Sequence, residues 1–143
     1  MTQQQQQQRP TGITILAILG IIGGVLGILG GCSVVAGGAL IGAMGAQAGV
    51  NEAAAGGGLL SVYGIVILLL AIADIVFGIG AWTLKPWAWM LGLVLQGISV
   101  VIALVSIVAG WSTFGSQIIG VAVNAVIIYY LMTPDVKKAF GRA

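Results

Sequence analysis

Polar positions in this chain are few and bunched, and between them the sequence stays apolar for tens of residues at a time. The first apolar run starts near Ile13 and meets no charge until Glu52. About 20 residues cross the hydrocarbon of a bilayer, so this run exceeds one ordinary span. It predicts a spanning helix over roughly 13–34 that continues as a small-residue helix to Gln47. Ala46 to Gly58 (AQAGVNEAAAGGG) predicts an outer loop, with Glu52 its one charge. The second run, Leu59 to Leu84, is rich in Ile, Val and Leu. Lys85-Pro86 closes it with a cation at the helix end and a proline suited to opening the next helix. The third run extends from Trp87 to Ala109, and Gly110 to Ser116 predicts a short polar turn. The fourth covers 117–132. Thr133-Pro134-Asp135 then reads as an N-cap with proline at the first helical position, opening a short helix to Phe140. Period-two alternation is missing, which argues against a β-barrel.

The pattern predicts an all-α, polytopic membrane protein with four transmembrane helices and a long, glycine-rich first helix. Residues 1–12 form a polar, glutamine-rich tail, with its tract from Gln3 to Gln8. Residues 13–133 form the membrane domain, with helices at about 13–47, 59–84, 87–109 and 117–132, and 134–143 form a short basic tail.

Composition agrees. Of 143 residues, 59% are hydrophobic and 6% charged, with a mean hydropathy of +1.16. A soluble domain carries about a quarter charged residues, so too few are present here to coat a soluble core. The cations Arg9, Lys85, Lys137, Lys138 and Arg142 all fall on one side of the four-span arrangement. Basic loops stay in the cytoplasm, so both termini are expected there, in a plasma membrane. That bias also accounts for the pI near 9.0 without nucleic acid. Trp82, Trp87 and Trp89 cluster around Lys85, Tyr129 and Tyr130 lie near the end of the fourth span, and Trp111 and Phe114 occupy the opposite turn. Amphipathic rings gather at headgroup level, so these make two interfacial belts.

Within the first helix, Gly20, Gly24, Gly27 and Gly31 are spaced four, three and four apart, and Gly38, Gly42 and Gly45 extend the line. Gly23, Gly30 and Gly37 form an adjacent stripe. Spacing near 3.5 keeps one helix face turned towards a partner, and glycine lets two backbones approach closely in lipid. The partner is either another helix of this chain or a second copy. No lysine followed by Ser or Thr accompanies these glycines, so they do not form a phosphate loop. Leu29-Gly30-Gly31-Cys32 has the form of a lipid-accepting signal sequence; the competing reading makes Cys32 a small packing residue.

Asp74 lies eleven residues before Lys85, roughly 16 Å from the inner boundary at 1.5 Å per residue. Gln96, ten residues after Pro86, and Asn124, nine before Thr133, fall at similar depth on the next two helices. A carboxyl group there costs about 2.5–3.5 kcal/mol on insertion scales and should face other helices. Asp74, Gln96 and Asn124 are therefore either an interhelical polar cluster that fixes register or an ion-binding site. Catalysis is not expected. The chain has no histidine, and its serines have no intramembrane base. Cys32, Glu52, Asp74 and Asp135 fall too far apart to bind a metal. No cofactor is expected.

The opening Arg9-Pro10-Thr11-Gly12, the hairpin Gly80-Ala81-Trp82-Thr83-Leu84-Lys85-Pro86-Trp87-Ala88-Trp89, and the closing Asn124 to Tyr130 with Pro134-Asp135-Val136-Lys137 carry a family likeness. Through them the whole chain resembles small, uncharacterised four-span integral membrane proteins of archaea and bacteria. That resemblance implies four helices and no assigned activity. The expected role is structural or accessory: packing or oligomerising through the glycine face, with the lipid bilayer and a homo-oligomer or larger membrane complex as partners. The alternative is a small proton or cation channel or transporter subunit that uses Asp74.

Overall fold

The computed structural model describes residues 10–110 and 113–142. The glutamine tract, Arg9 and Trp111 lie outside these residues. Five helices make up the described chain, with no strand among the described residues: α1 (Thr11–Gln47), α2 (Asn51–Trp82), α3 (Pro86–Val108), α4 (Phe114–Leu131) and α5 (Pro134–Ala139). Of these, α1, α2 and α3 are long and apolar enough to cross a membrane, which makes this a membrane-embedded protein. At 18 residues, α4 falls just under the usual spanning length of about 20. Large apolar side chains such as Leu26, Leu29, Leu69 and Ile119 are more than 60% exposed, as expected where lipid rather than water is the solvent.

The connection between α1 and α2 is far shorter than the expected loop. Gly49, at φ +70°, ends α1. The Val50 amide donates to the Gly45 carbonyl at 2.8 Å and the Gly49 amide to the Ala46 carbonyl at 3.3 Å. This pair of bonds is the Schellman closure, which satisfies carbonyls that a helix end leaves open. The chain turns within Ala48–Val50, and α2 begins at Asn51, eight residues before the expected Leu59. Glu52 sits in the first turn of α2, where a negative charge complements the helix dipole, and Ala53–Ala55 are strong helix formers. Gly56, Gly57 and Gly58 are therefore helical, although glycine inside a helix costs about 0.5–1 kcal/mol relative to alanine. Packing at Gly57, described below, offsets that penalty.

The chain divides into two compact units. One, Gly20–Ile75, is an antiparallel helical hairpin made of most of α1 and most of α2. The other collects the described residues up to Leu19 and those from Val76 onward. Its core contains Ile13, Leu16, Ala17, Phe77, Ala81, Ala88, Leu95, Ala103, Leu131, Val136 and Phe140, all 8% exposed or less. Phe77 fits over Gly92, and Trp87 and Ala88 fit over Gly80, so the end of α2 lies close on the start of α3. Helices α3 and α4 pack along one another. The Trp89 indole N–H donates to the Leu131 carbonyl at 2.7 Å. Helix α5 docks through Val136 and Phe140, each 1% exposed. Its N-cap, Thr133, departs from the expected role: no side-chain capping bond forms, and its hydroxyl donates back to the Tyr130 carbonyl at 2.7 Å.

Candidate functional site: a glycine seam and three polar side chains

In the hairpin unit, Gly24, Gly31, Gly38 and Gly45 recur every seven residues along α1, and all four are buried. On α2, Gly57, Gly64 and Ala71 recur at the same interval and are likewise buried. A seven-residue repeat on both helices keeps the two faces in register over the length of the hairpin. Ala71 meets Gly24 and Gly27, Gly64 meets Gly31 and Val35, Gly57 meets Gly38 and Gly42, and Ala53 and Ala54 meet Gly45.

At several of these positions backbone approaches backbone, whereas at Gly24 and Gly31 the nearest atoms belong to the Ile75 and Leu68 side chains. A methyl group on Gly38 would stand 2.6 Å from the Ser61 amide nitrogen and 2.8 Å from the Gly57 carbonyl oxygen. One on Gly45 would stand 2.5 Å from the Ala54 nitrogen, and one on Gly64 would stand 2.8 Å from the Val35 nitrogen. One on Gly57 would overlap the Gly42 amide. Space at Gly42 itself is more generous, with the nearest atom 3.5 Å away. Gly20 is half-buried. Where no side chains intervene, dispersion and Cα–H···O contacts hold helices together in lipid. The Ser61 hydroxyl adds a bond across the seam to the Val35 carbonyl at 3.4 Å, shared with its own Gly57 carbonyl at 3.0 Å.

The partner of the α1 glycine face, left open by the sequence between this chain and a second copy, is thus α2 of the same chain. The complementary line Gly57, Gly64, Ala71 was hidden in the sequence because its first member lies in a run that reads as loop. The neighbouring stripe behaves differently: Gly23, Gly30 and Gly37 have open space where a side chain would stand, as do Gly56 and Gly58 on α2. Cys32 is exposed, on an unbroken stretch of α1 beside the buried Gly31.

Asp74 belongs to the hairpin unit, half-buried on α2 beside Ile75 and three residues after Ala71, both of which touch Gly24. Gln96 and Asn124 belong to the other unit, on α3 and α4, and both are half-buried. The carbonyl oxygen of the Gln96 side chain is buried, and among the described residues none donates a hydrogen bond to it. Asn124, on the packed neighbour α4, does not supply the missing donor. Among the described residues, no three His, Cys, Asp or Glu side chains come together.

Comparisons with protein-family models, with curated proteins and with solved structures yield no match.

Proposed function

We propose that the chain is a non-catalytic structural or accessory protein of a prokaryotic plasma membrane, built to pack rather than to react. In this reading four helices cross the bilayer, with both termini and the Lys85 turn in the cytoplasm. The observation that carries the proposal is the seam itself, where Gly57 lies against the backbones of Gly38 and Gly42 and small residues recur on both helices. Such a hairpin is a stiff element suited to holding a shape in lipid. Its helices are 37 and 32 residues long, or roughly 55 and 48 Å, well beyond a hydrocarbon layer of about 30 Å. Its small-residue end, around the Gly49 turn, is therefore placed outside the outer leaflet. The fourth span is α4, about 27 Å long, a mismatch that local thinning and interfacial side chains absorb. The likeness to small four-span proteins supports the same topology.

Because α2 occupies the α1 glycine face, assembly with a second copy or another subunit engages a different surface. Gentle detergent extraction of the full chain from its native membrane tests this: it should elute as an oligomer or with companion chains. A solitary monomer at native expression levels would contradict it.

A second reading, a small proton or cation channel or transporter subunit that uses Asp74, draws support from a carboxyl group half-buried within a long apolar helix. Liposomes carrying the wild-type chain or Asp74→Asn separate the two readings. Ion flux in the wild type that disappears in the variant supports transport, whereas no flux in either supports the structural role.

A further inference from the structure

Two cations from distant parts of the sequence sit on neighbouring stretches of chain, each next to a residue of the Pro86–Gly141 approach. Lys85 ends the α2–α3 turn, and Arg142 follows α5. At Gly141 the chain has φ +69°, and the Arg142 amide donates to the Lys137 carbonyl at 2.7 Å, closing the helix and turning the backbone. The turn brings Gly141 beside Pro86, the residue after Lys85. It also sets the Arg142 guanidinium 5.8 Å from the centre of the Trp89 ring. Trp89 is itself held by its bond to the Leu131 carbonyl, and α5 by its buried Val136 and Phe140. Arg142 thus lies over an aromatic ring that is itself anchored to α4.

The surroundings specify what such a pair would bind. Lys85 and Arg142 are both exposed. Near the start of α3, Trp87 and Met90 are also exposed, 47% and 50% respectively. A ligand that suits both features has one anionic head and an apolar body. Guanidinium and ammonium groups donate to phosphate oxygens, and exposed aromatic rings sit at headgroup depth.

We propose that Lys85 and Arg142, with Trp89 positioning the guanidinium, form a binding site for the phosphate headgroup of an anionic phospholipid. Lys138 is exposed but lies on α5 opposite the buried Val136 and Phe140, so it carries equal charge outside the site. The site requires only that this end of the protein lies at a membrane surface. It is independent of whether the chain is structural or transports ions.

The test is quenching of tryptophan fluorescence by brominated phosphatidylglycerol against brominated phosphatidylcholine, with the full chain in vesicles at 0.15 M salt. Wild type should favour phosphatidylglycerol. Lys85→Gln and Arg142→Gln should each lower that preference about fivefold, the order expected for one interfacial cation, whereas Lys138→Gln should change it less than twofold. Arg142→Lys, which keeps the charge, should keep part of the preference, which guards against a merely misfolded variant. Equal losses in all three charge variants would overturn the proposal in favour of diffuse surface charge. So would no preference in the wild type. Displacement by inorganic phosphate at matched ionic strength would also overturn it, by assigning the site to a soluble anion.

Discussion

The Trp89 indole N–H reaches the Leu131 carbonyl at 2.7 Å, tying the first turn of α3 to the last residue of α4. The last carbonyls of a helix have no partner within it, and here a side chain 42 positions away supplies one. Trp89→Phe keeps most of the apolar body and removes the donor. It should lower stability by about 1–2 kcal/mol, read from the unfolding midpoint of the full chain in mixed micelles. A midpoint equal to that of the wild type would show that the bond contributes nothing net.

Leu84 occupies the left-handed region at φ 54°. The Lys85 amide donates to the Gly80 carbonyl at 2.9 Å and the Leu84 amide to the Ala81 carbonyl at 3.1 Å. This is the same closure that Gly49 makes after α1, with leucine in the place glycine usually takes. A side chain there costs roughly 1–2 kcal/mol. Leu84→Gly should therefore raise the unfolding free energy by about 0.5–1 kcal/mol, and Leu84→Val, stiffer at its branched carbon, should lower it by about 1 kcal/mol. The same sign for both variants would contradict this account of the turn.

The proposed topology makes a sharper demand. In a Cys32→Ala background, single cysteines at Glu52, Lys85 and Lys138 probe three ends. An impermeant maleimide should label Glu52→Cys in intact cells, and Lys85→Cys and Lys138→Cys only after permeabilisation. Different behaviour of the last two would break the four-span arrangement.

Much of this architecture was legible in the sequence, for a physical reason. In lipid the helix is the cheapest way to satisfy the backbone, so long apolar runs map onto helices with little ambiguity, and α1 and α3 end within two residues of their expected limits. The glycine line from Gly24 to Gly45 was readable because a seam needs a periodicity near 3.5. What stayed hidden depended on pairing. Gly56-Gly57-Gly58 has loop chemistry in isolation and becomes helix because Gly57 docks on α1. Likewise, nothing local to Arg142 announces Trp89, which lies 53 positions earlier and meets it only after α5 has docked. The depth at which Asp74, Gln96 and Asn124 fall could be counted from the chain, but not which polar atom would lack a donor.

The seam is tested most directly by two adjacent glycines. Gly57 has the Gly38 and Gly42 backbones where a methyl group would go, and Gly58 has open space. Alanine is the better helix former at both positions. The unfolding free energies of Gly57→Ala and Gly58→Ala, measured in the same micelles, should therefore move in opposite directions. Gly57→Ala should lose about 1–3 kcal/mol to overpacking, and Gly58→Ala should gain about 0.5–1 kcal/mol from helix propensity. Equal gains at both positions would show that α1 and α2 do not meet across these glycines, and the account of the hairpin would fail.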